Sequence, residues 1–292
     1  MSLGAATTEP GAPPRLGRYT DLALLGKGGM GAVYRGRDPA LGREVAIKVM
    51  NDRSPEFAAR FQREAQALAR LSHPRIVQVY DCGAADDGSP FFVMELLSGR
   101  PVDKLLEDAG RLPWQEVARI MMQAAEGLAA AHAAGIVHRD IKPANLVLDS
   151  RGQLKLVDFG IARFATLKDG ENALTKPQSL LGTPLYMAPE LLSGEVADGR
   201  VDIYALGLTG YHLLTGQPPF AAPSAVALVM KQLSEPLPDL SQAAPDVPTR
   251  LVALIRRMAE KEPKDRVPRC EDVCAELEAL LRDPGPQAVV KA

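Results

Sequence analysis

His138-Arg139-Asp140-Ile141-Lys142-Pro143-Ala144-Asn145 is followed further along the chain by Asp158-Phe159-Gly160. Pro143 and the spacing of the polar residues exclude a regular helix interior, so the first segment reads as a loop. That loop gathers an acid, a base and an amide. Asp140 can accept a hydroxyl proton. Asn145 and Asp158 supply hard oxygen ligands suited to Mg²⁺ rather than to zinc. Lys142 can neutralise a phosphate in flight. Between the segments, Leu146–Leu148 and Leu154–Val157 read as a small hairpin turned by Ser150-Arg151-Gly152. Five fixed positions, at roughly one in twenty each, match by chance on the order of once in ten thousand chains of this length.

N-terminal to this stretch, residues 19–95 read mainly as strands, around 22–25, 32–35, 45–50, 76–80 and 91–95. One helix interrupts them. Ser54 is a good N-cap, Pro55 suits the first helical position, and Phe57, Phe61, Ala65 and Leu68 repeat at helical spacing up to His73-Pro74. Gly26-Lys27-Gly28-Gly29-Met30-Gly31 joins two strands and opens no helix, so neither the dinucleotide fingerprint nor the Walker loop fits. Its glycines let backbone amides approach a polyphosphate, and Val33 is placed to cover a flat base. Lys48 lies on a strand. Glu64 shares the inward edge of the helix, where a carboxylate needs a cation, and Lys48 is the obvious partner.

C-terminal to it, helices dominate: 113–134, then near 200–215, 223–233, 248–260 and 270–282. The run Val201 to Leu214 carries Asp202 and His212 and is short for a membrane span, so it reads as a buried core helix. Residues 1–17, rich in Ala, Thr, Gly and Pro, read as a flexible leader, and 283–292 as a loose tail. The expected organisation is α+β: a small β-rich lobe at 18–97 with one key helix, then a larger, mainly helical lobe at 98–282.

Composition narrows the partners. The 292 residues are 46% hydrophobic and 24% charged, an ordinary globular balance. Thirty-four Lys and Arg against 36 Asp and Glu leave a net charge of −2, which excludes a broad basic surface for nucleic acid. Cys82, Cys270 and Cys274 are too few for a disulfide framework and suit a reducing compartment. Cys270 and Cys274, four apart with no histidine near them in sequence, read as buried thiols rather than a metal pair. No segment reads as a signal peptide or membrane span, so a cytoplasmic setting is expected.

From about Tyr19 to Arg282 the chain resembles a eukaryotic-type (Hanks-type) Ser/Thr protein kinase catalytic domain of the bacterial kind. The glycine-rich loop, Lys48, Glu64, the catalytic loop, Asp158-Phe159-Gly160 and Ala188-Pro189-Glu190 occur in the family's order. Gly28-Gly29-Met30-Gly31 resembles the bacterial form of the loop, and Lys142 and Thr183 resemble Ser/Thr-specific members. The resemblance implies the two-lobed kinase fold and transfer of the ATP γ-phosphoryl group, with Mg²⁺, to protein Ser or Thr hydroxyls. It implies catalytic roles for Asp140, Lys142, Lys48 and Glu64, and Mg²⁺ ligation by Asn145 and Asp158. Leu25, Gly26, Lys27, Gly28, Gly29, Gly31, Val33, Ala46, Lys48, Met94, Glu95, Leu97, Asn145, Val147 and Asp158 would contact the nucleotide. Asp202 would hold the catalytic-loop backbone, and Arg266 would form a buried pair with Glu190. Pro101 stands where many members carry a polar residue for the ribose.

The segment between Asp158 and Glu190 holds Thr166, Thr175, Ser179 and Thr183. A phosphate at Thr175, or failing that Ser179, would bring about −1.5 to −2 charge near the cation of Arg139 and order the loop. The resemblance also admits a second copy of the chain as partner, and a larger membrane-anchored kinase of which this chain is the cytoplasmic domain. Two rival readings remain at this level. A pseudokinase predicts loss of Lys48, Asp140, Asn145 or Asp158, all of which are present. A small-molecule phosphotransferase would share the Asp and Asn, but the segment from Gly182 to Glu190 favours protein substrates.

Overall fold

A computed structural model of the chain describes residues 15–160, 185–195 and 197–284. They fall into two compact units, the first reaching to Ala69 and including Val79–Leu96, the second comprising Arg70–Gln78 and the chain from Leu97 onward. The first is a small sheet with one helix and the second is mainly helical, which is the α+β architecture expected.

In the first unit, β1 (Thr20–Gly28), β2 (Gly31–Asp38), β3 (Arg43–Met50), β4 (Val79–Ala84) and β5 (Pro90–Glu95) form an antiparallel sheet in the order β1-β2-β3-β5-β4. Side chains alternate across the sheet, so β3 separates into two faces. Val45, Ile47 and Val49 join Phe91, Val93, Ala85, Tyr19 and Leu16 in one core cluster. Leu16 is buried there, so the chain is already packed at the end of the expected leader, because a large apolar side chain gains by entering that core. The rest of the leader, residues 1–14, and the tail from 285 lie outside the described residues. On the other face Lys48 is registered with Val33 and Phe92, and Ala46 with Met94. Helix α1 (Pro55–Ala69) covers that face with Phe57, Phe61, Ala65 and Leu68, and Phe61 meets Phe92 at 5.7 Å between ring centroids. Gly31 is required by close approach: a Cβ there would lie 2.0 Å from the Val49 carbonyl oxygen.

The strand expected at 76–80 is divided. Ile76 forms a parallel bridge with Leu156 of the second unit, and regular pairing in the first unit starts only at Val79. Two backbone bonds enforce this: Val77 N–H donates to Leu156 O at 2.9 Å, and Leu156 N–H donates to Arg75 O at 2.8 Å. Arg75 adds an ion pair with Glu126 at 2.9 Å. Period-two apolar spacing does not report which sheet a strand joins.

In the second unit, β6 (Arg100–Pro101), β7 (Leu146–Leu148) and β8 (Leu154–Leu156) form a small sheet. The expected hairpin is β7–β8, turned at Gly152, which adopts a positive φ of 72°. Helices α2 (Val102–Ala109), α3 (Trp114–Ala133), α4 (Pro189–Ser193), α5 (Arg200–Thr215), α6 (Ala225–Ser234), α7 (Leu240–Ala243), α8 (Thr249–Met258) and α9 (Cys270–Arg282) make up the remainder. α5 is buried on nearly every side, as a helix apolar all round must be, and packs against α3 and α8. Gly210 permits the approach of α3, since a Cβ there would meet Met121 Sδ at 2.5 Å. Among the described residues, no helix is long and apolar enough to cross a membrane.

Candidate functional site

The catalytic loop lies between α3 and β7 and is held from three directions. From α5, the Asp202 carboxylate accepts the His138 backbone N–H at 2.8 Å and the Arg139 N–H at 2.7 Å. From within, the His138 ring is fully buried, bonds Val157 O through Nε2 at 3.1 Å, accepts the Asp140 N–H at Nδ1, and lies 4.3 Å from the Phe159 ring. From the segment after β8, Gly160 N–H donates to His138 O at 2.8 Å and Val157 N–H to Asn145 O at 3.0 Å. Burial pushes the His138 imidazole below its ordinary value, so it is a neutral brace. Arg139 and Asp158 take positive φ values of 63° and 56°, which such residues adopt only where surrounding bonds enforce it.

This frame brings Asp140, Lys142 and Asn145 together. Asp140 Oδ2 receives Lys142 Nζ at 2.7 Å and Asn145 Nδ2 at 2.9 Å. Asn145 Nδ2 also donates to Asp140 O at 2.7 Å. With its amide nitrogen so engaged, the Asn145 carbonyl oxygen is the atom left to serve a hard cation, and Asp158 follows Val157, which bonds to Asn145. A carboxylate and an amide oxygen form a donor set suited to Mg²⁺. The Asp140 side chain keeps 15% of its surface exposed and Lys142 35%, so both reach an outside reactant.

In the first unit, Leu25, Gly26, Lys27, Gly28, Gly29 and Gly31 fall on the β1–β2 hairpin, with Gly28 paired to Gly31 across the turn. Asn51 ties the tip down, its Nδ2 donating to Gly29 O at 3.1 Å. Lys48, Val33, Ala46 and Met94 share the sheet face that α1 covers, and Glu64 stands half-buried one turn beyond Phe61 on that helix. Glu95 ends β5. Leu97 and Val147 belong to the second unit, where Val147 pairs with Pro101. Thr175 and Ser179 lie outside the described residues.

Two contacts expected from the resemblance are present. Asp202 grips the loop, and Arg266 makes a bidentate pair with Glu190 at 2.5 and 2.7 Å, both side chains buried. Cys270 is buried and Cys274 half-buried, as free thiols. Cys270 also meets a histidine that lies far away in sequence on α3, its Sγ 3.7 Å from Nδ1 of His132. Helix packing, which local spacing cannot reveal, brings them together. Among the described residues, no group of His, Cys, Asp and Glu could hold a metal by itself. His138 as an internal brace was also missed, its only signal being a histidine next to an otherwise polar loop.

Comparison with known sequences places these features in context. The family described as Protein kinase domain matches residues 19–276. The probable serine/threonine-protein kinase PknB of Corynebacterium glutamicum is 40% identical over 276 residues, covering 91% of this chain and 42% of that protein. The DNA damage-responsive serine/threonine-protein kinase RqkA of Deinococcus radiodurans is 42% identical over 273 residues, covering 91% and 40%. The serine/threonine-protein kinase PknL of Mycobacterium tuberculosis is 38% identical over 269 residues, covering 91% and 66%. The chain thus spans under half the length of the first two relatives.

Proposed function

Because this chain belongs to the protein kinase domain family, as a Hanks-type Ser/Thr member, we propose that it transfers the γ-phosphoryl group of ATP to Ser and Thr hydroxyls of proteins and acts in signalling. The observation that carries the reading is the Asp140 carboxylate, bonded by Lys142 and Asn145 in a loop that Asp202 pins from below. Asp140 orients the acceptor hydroxyl and takes its proton as the O–P bond forms. Lys142 neutralises charge on the phosphoryl group in transit. Lys48, paired with Glu64, grips the α- and β-phosphates. The amides of the β1–β2 hairpin cradle the same phosphates, where a side chain on glycine would obstruct approach. Leu25, Val33, Ala46 and Met94 in the first unit offer apolar contact to the adenine, with Glu95 and Leu96 supplying backbone hydrogen bonds.

Asn145 and Asp158 would hold Mg²⁺, which supplies charge neutralisation between the phosphates when bound. ATP as the phosphoryl donor puts this catalytic unit in the cytoplasm, and a longer protein could carry it at a membrane. Autophosphorylation between two copies at Thr175, or at Ser179, would set a phosphate against Arg139 and order the intervening segment. The test uses a protein substrate mixture, Mg²⁺ and γ-labelled ATP. Asp140→Asn lowers the rate by about 10²–10⁴-fold with unchanged circular dichroism. A variant with wild-type turnover would end the assignment.

A further inference from the structure

Gln232 on α6 is fully buried, and both ends of its amide are assigned by what they face. Its Nε2 lies 2.7 Å from Leu185 O. A carbonyl oxygen only accepts, so the amide nitrogen must be the atom facing it, and Oε1 points the other way. There the Tyr204 hydroxyl donates to Oε1 at 2.7 Å. Tyr204, on α5, is buried as well, and burial pushes its phenol above the ordinary value, so it keeps the proton it donates. Lys261, in the turn after α8, completes the chain: its Nζ donates to Tyr204 Oη at 3.2 Å and to Gln232 O at 2.7 Å. An amine donates whether charged or neutral, so the direction of every bond stands whatever the charge of Lys261. Three elements thus converge on one backbone carbonyl, and a buried network with each member satisfied holds a single geometry.

We propose that Gln232 is a positioning residue for the acceptor protein, whose amide pins the Leu185 carbonyl and so fixes the backbone beside the catalytic loop. Leu185 and Tyr186 pack on the same core cluster as Val137, the residue before His138. From Leu185 the backbone runs directly into α4. That continuous stretch is fastened at Tyr186, whose Oη lies 2.6 Å from Nδ1 of His212, and at Glu190 by Arg266. The network from α6 adds the fastening at its leading end. Without the Nε2–H donor, Leu185 O is left buried without that bond, and the backbone shifts to find another. The glycine-rich hairpin, Lys48, Ala46 and Met94 belong to the first unit, so such a shift changes how an acceptor hydroxyl meets Asp140 and not how those residues hold ATP.

The inference rests on the proposed transfer to protein hydroxyls, and the test keeps the two apart. Gln232→Glu keeps shape and volume and exchanges the donor for an oxygen; Gln232→Met keeps the length and is apolar. The two differ in size and charge and share the lost donor, so a common effect reports that bond. With Mg²⁺-ATP and myelin basic protein as acceptor, both are expected to lower kcat/KM for the acceptor about fivefold, the worth of one hydrogen bond, with KM for ATP unchanged. Amide hydrogen exchange, which needs no activity, quickens over residues 185–188 in both and keeps wild-type rates in α3. A role in packing alone predicts methionine tolerated and glutamate harmful. Methionine matching wild type in both readouts, or exchange quickened evenly through the second unit, overturns the proposal. If wild type transfers no phosphate to any protein, the reading of function fails; if it transfers and both variants match it, this inference alone fails.

Discussion

Asp140 Oδ2 accepts from both Lys142 and Asn145, so its lone pairs are directed by two donors before any substrate arrives. Removing Lys142 affects charge more than shape, because the side chain is one-third exposed and, among the described residues, its ammonium bonds Asp140. Lys142→Ala is expected to lower kcat by about 10²–10³-fold, as the loss of one preorganised donor does, with little change in KM for ATP. Steady-state kinetics check this; a change confined to KM would show that the ammonium acts in binding. Nearness of these three residues was legible in the sequence because a loop with a fixed proline brings i, i+2 and i+5 positions together locally. The bond from Cys270 to His132 was not, since residues so distant in sequence meet only through the packing of α9 on α3. A lone histidine on a helix gives no sign of which helix will face it.

At the scale of elements, α4 is a single short helix that cannot hold its place by its own apolar area. Glu190 at its start receives Arg266, which also donates to the carbonyls of Glu260, Lys261 and Arg200. One guanidinium thus ties α4, the start of α5 and the turn after α8. The pair is buried, so removing one member strands a charge without water. Arg266→Met is expected to destabilise the protein by about 3–5 kcal/mol, read as a lower urea midpoint. An unchanged midpoint would mean that the pair is solvated. This tie was readable only through the family's pattern, whereas α5 was readable from composition alone: a run apolar on every side, too short for a membrane, belongs in a core. The strand at 76–80 shows the limit of pattern reading. Its alternation is real, yet Arg75 and Val77 bond to Leu156, so one apolar run is divided, Ile76 and Val77 belonging to the second unit and Val79 to the first.

Over the whole molecule, acidity acts through a few buried groups whose signs can be worked out. His138 lies below its ordinary value through burial, and His73 and His212 are lowered in the same direction by the same cause, less completely shielded from water. In the unfolded chain each titrates near about 6.5. As pH falls below that value the unfolded state takes up protons that the folded state refuses, so stability declines, by up to about 1.4 kcal/mol per pH unit for a fully shielded ring. On the alkaline side, Lys261 is pushed down to about 8, first by burial and then by Arg266. Its ammonium donates to Gln232 O at 2.7 Å and lies 4.3 Å from the Phe220 ring centroid. Between about 8 and roughly 10.4 the unfolded state again holds the extra proton, so the contribution of Lys261 rises with pH, screened to about 1 kcal/mol because the side chain is partly exposed. Tyr19, Tyr186 and Tyr204 are raised by burial and act against this once unfolded tyrosine ionises near about 10. Burial raises Cys82, Cys270 and Cys274 as well, and they act the same way earlier, once unfolded thiols ionise near about 8.5. Urea midpoints measured against pH should therefore fall on the acid side and fall again above about 8.5, with Lys261 offsetting part of the alkaline loss. Lys261→Met should steepen the alkaline fall and leave the acid limb in place. Parallel curves for the two proteins across the alkaline window would show that Lys261 keeps its proton in the fold.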